Sequence, residues 1–423
     1  MFKETKNLEL KEKVSNTFLK TVSAFANYRN GEIYFGVTDS GEIVGINDYA
    51  SEAMKIEQKI NATIFPRPEF SIYKREENGR TIIILKVSKG KNTPYLYQNQ
   101  AYKRSDTSTV TVDQKELRRL ALYGSNLKYE QLSANTQNLT FKTLEYHLIQ
   151  ITGIKKINID ILRTMNLYDL EDKYNIAGEL LADLNTFQFT GIDIVRFGEN
   201  ENIFNYRETI AGKSLLTQYE RTLELFKQYY EFEVIEGFKR VKKALIPYEA
   251  FREALANAVV HREYDTNAHI QVSMYDEKIV ISSPGGLPEG INEEEYLKGQ
   301  ISSLRNPIIA AVFNRLDIIE MFGTGVKRIK DEYQNSFTKP IFNLTENNII
   351  ITLPLLQKSA PLLDEDEEKA FSIFAQYAEL TRNQIEEMLG VNKSKAIRII
   401  NSLLEKNFIK REGTSTATTY KKI

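Results

Sequence analysis

The chain has 423 residues, and its 56 Lys and Arg nearly balance its 57 Asp and Glu, so the formal net charge is −1. Apolar residues make up 42% and charged residues 27%, which excludes fibrous and wholly disordered chains. With 0 Cys and 3 His, disulfides and thiolate zinc sites are excluded and a histidine-rich metal site is disfavoured. No apolar run approaches the roughly 20 residues that span a membrane, so we expect a cytoplasmic protein with no membrane contact.

The length predicts two to four domains. The first, residues 1–125, alternates helix-like and strand-like segments. Turn residues and alternating apolar residues place its elements as follows: a helix over 7–27, strands over 32–37, 42–46, 81–87 and 100–104, and a helix over 114–120 that Asp113 caps.

Two stretches of this region, "SAFANYRNGEIYFGVTDSGEIVGI" and "AYKRSDTSTV", resemble the Schlafen AlbA-like domain. In bacterial regulators the resemblance implies nucleic-acid binding. In animal Schlafen proteins it implies an RNA-cleaving fold with three acids, whose positions by motif are Glu4, Glu9 and Asp39. Such acids would hold Mg²⁺ or Mn²⁺ beside a phosphodiester. The basic residues of the predicted phosphate-binding rim are Lys89, Lys91, Lys103 and Arg104.

Plainer interpretations of these acids stay open. Glu9 can solvate the start of a helix, and Asp39 fits the first position of a turn that ends in glycine. The next region, residues 126–245, carries no motif, and we expect it to be a mainly helical connection with helices over 176–184 and 215–230.

Residues 246–356 contain the most specific stretch, "FREALANAVVHREY". Glu253 and Asn257 are four residues apart, so they share one helix face, as does His261. A carboxamide oxygen can ligate Mg²⁺, and a carboxylate can orient a water toward a γ-phosphate. Glycine turns follow at Gly285-Gly286 and at Gly323-Thr324-Gly325, and glycines allow the backbone to approach phosphates closely.

In this order the motifs resemble the gyrase, heat-shock chaperone and histidine-kinase ATPase superfamily, in a divergent form found in bacterial transcriptional regulators. The resemblance implies a divergent Bergerat-type α/β sandwich that binds ATP and Mg²⁺. It assigns the catalytic base to Glu253, the metal ligand to Asn257, and the pocket turns to Gly285, Gly286, Gly323 and Gly325. Ser283 lies where the superfamily has an adenine-reading Asp, which predicts weak discrimination between ATP and GTP. A scaffold without ligand is the alternative.

Residues 369–423 predict a winged helix-turn-helix. Thr381 and Gln384 have the form of a capping box, Gly390 ends that helix, Asn392 caps the next, and residues 408–411 and 418–421 pair as the wing. From residue 371 onward there are nine basic and five acidic residues, a local excess of four positive charges. Lys393, Lys395 and Arg398 begin the predicted recognition helix, where bases and phosphates are contacted. Residues 357–361 are interpreted as a linker, and the acidic run over 364–368 as a connector or helix start. A packing module with a solvated basic face is the alternative.

The sequence therefore predicts an α+β multidomain protein that forms a homo-oligomer and binds DNA or RNA. The first hypothesis is an ATP-responsive transcriptional regulator. The second is a metal-dependent endoribonuclease that acts on transfer RNA or in phage defence. The third is a non-catalytic assembly scaffold.

Overall fold

The computed structural model describes residues 2–236, 238–288, 291–299, 304–320, 323–357, 363–374, 377, 379–406, 408–413 and 418–422. The chain forms two compact units, Met1–Leu132 and Ser133–Ile423. The α+β multidomain organisation predicted from the sequence is confirmed. Of the predicted linker, residues 358–361 lie outside the described residues. Within the described parts, no helix is long and apolar enough to span a bilayer.

Unit 1 is built around a four-stranded sheet of order β1-β2-β5-β4, in which β1 and β2 run parallel. Helix α1 packs on it, and its Phe18 ring meets Phe35 edge to face at 5.2 Å. Its elements in chain order are β1 (Leu8–Lys11), α1 (Phe18–Tyr28), β2 (Gly31–Phe35), α2 (Tyr49–Thr63), β3 (Ile64–Phe65), β4 (Phe70–Glu77), β5 (Arg80–Val87), β6 (Leu96–Tyr97), β7 (Tyr102–Ser105), β8 (Ser108–Thr111), α3 (Gln114–Gly124) and a short 3₁₀ helix (Tyr129–Gln131).

Two predicted elements of this unit are wrong. The predicted helix over 7–27 is a strand followed by a shorter helix, because Leu10 is buried in β1 and the Asn7 carbonyl accepts from the Glu32 amide of β2. The predicted strand over 42–46 is reduced to one antiparallel bridge, Val37 with Ile43, beside which the Val44 and Gly45 amides both donate to the Gly36 carbonyl. The capping of α3 is confirmed, since Asp113 Oδ1 accepts from the Glu116 amide at 2.8 Å.

Unit 2 contains a six-stranded sheet of order β10-β9-β13-β14-β16-β15, parallel only between β9 and β13 among the described pairings. Its elements up to this sheet's last strand are α4 (Lys142–Thr152), α5 (Ile159–Thr164), α6 (Ile176–Leu181), β9 (Ile192–Phe197), β10 (Phe204–Ile210), α7 (Leu215–Tyr230), β11 (Glu231–Glu236), β12 (Lys239–Ala244), α8 (Tyr248–Val260), β13 (Ile270–Met274), β14 (Lys278–Pro284), α9 (Glu293–Lys298), α10 (Pro307–Arg315), α11 (Gly325–Glu332), β15 (Ile341–Leu344) and β16 (Asn348–Pro354).

The description of residues 126–245 as mainly helical needs correction. The predicted helix over 215–230 is α7, but β9 and β10 belong to the same sheet as the strands after residue 246. Alternate residues of β9, Ile192 and Ile194, are fully buried. The sheet therefore crosses the boundary expected at residue 245.

Helix α8 carries the Glu253–Asn257 motif and is packed on several sides. The rings of Phe251 and Phe226 of α7 stack at 4.3 Å, and Ala250, Ala254 and Leu255 are fully buried. The helix also packs against α11 and β14. This burial fixes the orientation of the face that presents Glu253.

The C-terminal part has the predicted winged-helix elements. They are α12 (Glu365–Ile373), β17 (Leu380–Thr381), α13 (Arg382–Leu389), α14 (Lys393–Glu405), β18 (Ile409–Glu412) and β19 (Thr419–Lys422). The predicted wing is the antiparallel pair β18–β19, and β17 adds a third strand. Residues 414–417 of the predicted wing lie outside the described residues.

The helix ends in this part follow the predicted signals. Thr381 and Gln384 form a capping box, Gly390 takes the left-handed conformation at φ 62°, and Asn392 caps α14. The acidic run is a helix start: Asp364 caps α12 in a capping box with Glu367. The winged helix therefore begins before residue 369.

Candidate functional site

Glu9, a predicted metal ligand, is the carboxylate of a buried ion pair. Glu9 is 7% exposed, and its Oε2 accepts from Arg104, whose side chain is 1% exposed. Lys11 Nζ lies 2.5 Å from Glu9 Oε1. Arg104 also donates to Thr109 Oγ1 at 3.0 Å. Both oxygens of Glu9 are thus occupied by cations, and the one to Arg104 ties β1 to β7, which is a structural role.

The other two predicted acids do not complete a metal site with Glu9. Glu4 Oε1 accepts from the Leu10 amide at 3.0 Å, and Asp39 is exposed in the turn after β2. Residues 2–132 are all described, and no group of three or more acids or histidines with metal-binding geometry occurs among the described residues. The predicted triad is not brought together.

The predicted basic rim of unit 1 is only partly accessible. Arg104 is buried with Glu9 and cannot serve as a surface contact. Lys103 Nζ lies 2.8 Å from Glu116, and Lys89 Nζ lies 4.9 Å from the centre of the Tyr123 ring. Lys91 is exposed. The rim thus loses Arg104, while Lys91 keeps the exposure that a phosphate contact needs.

The structure brings together three residues predicted for the second site: Glu253, Asn257 and Gly325. Asn257 Nδ2 donates to Glu253 Oε1 at 3.4 Å. The turn that ends at Gly325 lies directly against both side chains: a Cβ at Gly325 would meet Glu253 Oε1 at 2.4 Å and Asn257 Nδ2 at 2.7 Å. A larger residue at Gly325 would therefore displace the ends of these two side chains, and glycine leaves them in place.

Glu253 is a buried carboxylate with incomplete pairing. It is 4% exposed, and its Oε2 has no hydrogen-bond partner among the described residues. Burial raises the pKa of Glu253, while Arg328 and Arg252 oppose this rise. Arg328 NH1 lies 3.7 Å from Glu253 Oε2, and its NH2 is bonded to Glu320. An unsatisfied buried carboxylate is costly, so it marks a candidate ligand position.

These residues line one cleft with about 630 Å³ of space free of protein atoms, part of it open to solvent. Its described lining residues are Glu253, Asn257, Val260, His261, Pro288, Ile291, Tyr296, Gly299, Leu304, Ile319, Glu320, Gly323, Gly325 and Val326. The mixture of apolar walls with a few polar groups is typical of small-molecule sites.

The first glycine turn departs from the prediction. Gly285 and Gly286 are absent from the described lining of the cleft: Gly285 packs against Glu263 and Arg305, and Gly286 against the Glu346 carbonyl. Gly285 has φ 107°, so its residue type is explained by backbone conformation. Ser283 is buried, and its Oγ donates to the Ala258 carbonyl at 2.7 Å. The Ser283 hydroxyl therefore already donates its hydrogen bond to α8.

His261 borders the same cleft just beyond the end of α8. Burial, with a smaller contribution from Arg305, lowers the pKa of His261 to about 4, so it is neutral at pH 7. Its Nδ1 has no hydrogen-bond partner in the part of the chain that is described. Helical spacing already placed His261 on the Glu253 face, but only the structure makes it a wall of the cleft.

The residue types fit a magnesium nucleotide. The Asn257 amide supplies a hard oxygen, and Mg²⁺ commonly keeps several waters when it has only one or two protein ligands. Glu253 Oε2 is a buried polar atom without a hydrogen-bond partner among the described residues, and Gly325 packs against both side chains. The described lining of the cleft contains no Lys or Arg, and Arg328 is the nearest described cation to Glu253 Oε2, at 3.7 Å.

The predicted recognition helix, α14, has a more complex charge pattern than its sequence suggested. Lys393 is exposed, but Lys395 Nζ lies 2.8 Å from Asp366 of α12, and Arg398 NH2 lies 3.8 Å from the same carboxylate. With the acidic run included, residues 363–423 hold ten basic and ten acidic residues. The excess of four positive charges therefore vanishes over the whole winged helix.

The outward face of α14 adds residues that the charge count missed. Ala396, Ile399, Ile400 and Leu403 are buried, so the opposite face carries Ser394, Arg398 and Asn401. All three are exposed and spaced by four and three residues. Helical spacing alone places these three residues on one face, but a count of charged residues leaves out Asn401 because it is uncharged.

Three family models match the chain, each over a different part. The model described as Schlafen, AlbA_2 matches residues 2–113. The model HATPase_c_4, described as an ATP-dependent DNA helicase recG C-terminal region, matches residues 267–353. The model described as sugar-specific transcriptional regulator TrmB matches residues 363–423. The chain has the three-domain architecture that its motifs predicted.

The first and third matches together indicate a nucleic-acid-binding regulator. Glu253 and Asn257 precede the range matched by the HATPase_c_4 model, so their assignment depends on the sequence motif and the cleft geometry. No curated protein matches the chain significantly.

Two solved structures resemble parts or most of the chain at low identity. The DIP2311 protein from Corynebacterium diphtheriae is 18% identical, with 99% of this chain and 92% of that chain covered and a TM-score of 0.48. The N-terminal domain of a RecG-related protein from Nitrosomonas europaea is 18% identical, with 23% of this chain and 73% of that chain covered and a TM-score of 0.20.

Proposed function

We propose that this protein is a transcriptional regulator that binds duplex DNA through its winged helix and responds to a magnesium nucleotide in the Glu253–Asn257 cleft. The observation that carries the proposal is the approach of Gly325 to a buried carboxylate whose Oε2 lacks a hydrogen-bond partner among the described residues. A carboxylate held in this way is costly to folding unless a ligand uses it.

Each residue of the cleft has a definite task in this proposal. The Asn257 side-chain oxygen would hold Mg²⁺, and Glu253 would orient a water molecule and accept its proton. Arg328, which contacts both Glu253 and Glu320, favours the charged form of Glu253. When bound, the metal would neutralise phosphate charge. The apolar walls exclude water from the carboxylate, which strengthens its electrostatic interactions.

The DNA-binding part of the proposal depends on α14 and the wing. Arg398 and Asn401 are exposed on the outward face, and Arg and Asn are the side chains that pair bidentately with guanine and adenine edges. Lys393 and Lys395 at the N-terminal end would contact phosphates. The match of residues 363–423 to the family of sugar-specific transcriptional regulators supports this role.

The proposal is tested by measuring duplex-DNA affinity against salt and nucleotide concentration. Sites selected from random-sequence duplexes serve as the probe. Arg398→Ala should weaken binding and reduce the salt dependence, because each lost phosphate or base contact costs about 1–3 kcal/mol. Mg²⁺–ATP should change the affinity of the wild type and leave that of Asn257→Ala unchanged. Equal affinities with and without nucleotide would remove the responsive part of the proposal.

The ribonuclease hypothesis gains no support from the geometry, because Glu9 is occupied by Arg104 and Lys11. It keeps a simple test: incubation of the purified protein with transfer RNA and Mg²⁺ or Mn²⁺. Cleavage that survives Asp39→Asn and Glu4→Gln would not come from the predicted acids.

A further inference from the structure

Strands β11 and β12 form a hairpin, here called the arm (Glu231–Glu236, Phe238 and Lys239–Ala244), that is a two-stranded sheet separate from the six-stranded sheet. Its base is anchored: the Leu245 amide donates to the Tyr230 carbonyl at 2.9 Å, and Tyr230 and Ile246 are buried. Beyond that base the described side chains of the arm are half-buried or exposed. An isolated two-stranded hairpin is at best marginally stable in water.

The arm exposes large apolar side chains toward solvent. Ile235 is 74% exposed, Phe238 at the turn is fully exposed, and Phe232, on the opposite face of the hairpin from Ile235, is 44% exposed. Such residues clustered on one small element mark an interaction surface more often than scattered single residues do. The arm is therefore a candidate docking element.

The two edges of the arm have opposite charge. By strand alternation, one face carries Glu231, Glu233 and Ile235 from β11 and Arg240, Lys242 and Ala244 from β12. Glu233 lies opposite Lys242 in the register, and its Oε2 is 3.7 Å from Arg240. The Glu233 and Arg240 side chains are 52% and 79% exposed, so this pair contributes little by itself.

We propose that this face docks on the same face of a second copy of the chain. A two-fold axis that runs along the hairpin places β11 of one copy over β12 of the other. In this arrangement Glu233 lies opposite Lys242 of the second copy. At the neighbouring position, Ile235 covers the aliphatic stem of Arg240 of the second copy. The face is self-complementary because its acidic and basic edges exchange places under this rotation.

Nucleic acid is the less suitable partner for this face. On this face, Glu231 and Glu233 of β11, whose charge opposes phosphate, equal in number the basic Arg240 and Lys242 of β12. A phosphate backbone would leave the acidic edge unpaired, whereas a second copy uses both edges. Two six-residue strands are smaller than a standard interface, so we expect association in the roughly micromolar range.

Sedimentation velocity over a range of concentrations tests the proposal with charge reversals. Glu231→Lys with Glu233→Lys makes both edges basic, and Arg240→Glu with Lys242→Glu makes both edges acidic. Each double variant alone should weaken self-association at least tenfold. An equimolar mixture should restore it, because each edge then meets its opposite. Loss of the hairpin fold by either variant cannot produce recovery on mixing, so recovery identifies intermolecular pairing.

Two further variants separate charge from apolar contact. Ile235→Ser should also weaken association, whereas Leu170→Ser, at another side chain that is 94% exposed, should not. Glu233→Lys combined with Lys242→Glu in one chain keeps the faces complementary and should associate as the wild type does. A wild type that stays monomeric at every concentration, or mixed variants that do not recover, would overturn the proposal. Charge reversals that change only duplex-DNA affinity would assign the arm to nucleic acid instead.

Discussion

Glu9 in unit 1 and Glu253 in unit 2 are both buried glutamates that the sequence motifs assign to catalysis, yet their surroundings differ. Glu9 is bonded to Arg104 and Lys11, so both of its oxygens are paired. Glu253 Oε1 has a long contact of 3.4 Å from Asn257, while Oε2 has no hydrogen-bond partner in the described residues. A motif places a carboxylate, but its pairing decides whether the carboxylate stabilises the fold or remains for a ligand.

The comparison explains why the two resemblances carry different functional weight. In unit 1 the paired cation closes the site that a metal would need, and Asp39 remains in an exposed turn. In unit 2 a glycine brings backbone against the carboxylate and leaves a cleft beside it. Glu9→Gln and Gly325→Ala each alter one side of this comparison, and changes at Glu367 and Asp366 alter paired carboxylates of the winged helix.

The largest effect is expected from Glu9→Gln. The change leaves Arg104 buried without its carboxylate, and breaking a buried ion pair typically costs about 3–5 kcal/mol. Hydrogen exchange of peptides that cover β2 and β5 should accelerate strongly. Asp39→Asn, at an exposed turn, should change the free energy of opening measured by exchange by less than about 0.5 kcal/mol. Unchanged exchange in Glu9→Gln would show that the ion pair is dispensable and reopen a metal-binding role.

Gly325→Ala should affect ligand binding more than folding. The added Cβ would lie 2.4 Å from Glu253 Oε1, so the turn or the carboxylate must shift. We expect nucleotide affinity to fall at least tenfold, or about 1.4 kcal/mol. Calorimetry measures the affinity, and circular dichroism checks the fold. Wild-type affinity would place the ligand away from this turn.

Glu367 provides a third prediction because its carboxylate is buried in the winged helix beside Lys406 and Ser402. Burial opposes its charge, but these partners and the Asp364 amide lower the pKa of Glu367 to about 2. Since this lies below the ordinary value of 4.5, the charged form stabilises the fold above pH 4.5, and the contribution is lost as the pH falls toward 2. Glu367→Gln should lower the free energy of opening of α14, measured by hydrogen exchange at pH 7, by roughly 1 kcal/mol.

This difference between Glu367→Gln and the wild type should narrow as the pH is lowered from 5 to 3. A constant difference over that range would mean that packing, and not the carboxylate charge, explains the effect.

The smallest effect is expected from Asp366→Asn. Asp366 lies 2.8 Å from Lys395 and competes with phosphate for it, so its neutralisation should tighten duplex-DNA binding. Exposed ion pairs are worth about 0.2–1 kcal/mol, so a gain of two- to threefold is expected. Glu365→Gln removes the same charge from the same turn, but Glu365 pairs with Lys369. Equal gains from both variants would indicate general electrostatics instead of release of Lys395.

Local signals in the sequence predicted much of the fold. The capping box at Thr381, the caps at Asp113 and Asn392 and helix α7 are all where propensity and spacing indicated. The errors involve long-range pairing. Residues 8–11 form a strand because β2 lies beside them, and β9 joins β13 across more than seventy residues.

In the candidate site, too, local spacing was predictable and long-range contacts were not. Spacing on one helix predicted the pairing of Glu253 with Asn257, and the second glycine turn met them as expected. The sequence could not reveal that Arg104 neutralises Glu9, that Asp366 covers Lys395, or that Gly285 lies outside the described cleft lining. Each of these depends on a partner distant in sequence.

Calorimetric titration of the full chain with Mg²⁺–ATP, Mg²⁺–GTP and Mg²⁺–ADP tests the central claim, that Glu253 and Asn257 form a nucleotide site. We expect binding of ATP with weak preference over GTP, because Ser283 is committed to the Ala258 carbonyl. Asn257→Ala should weaken the binding of Mg²⁺–ATP at least tenfold, and Glu253→Gln should bind it as the wild type does. Absence of heat with all three nucleotides, from folded protein free of copurified nucleotide, would contradict the account and leave the cleft as part of a scaffold.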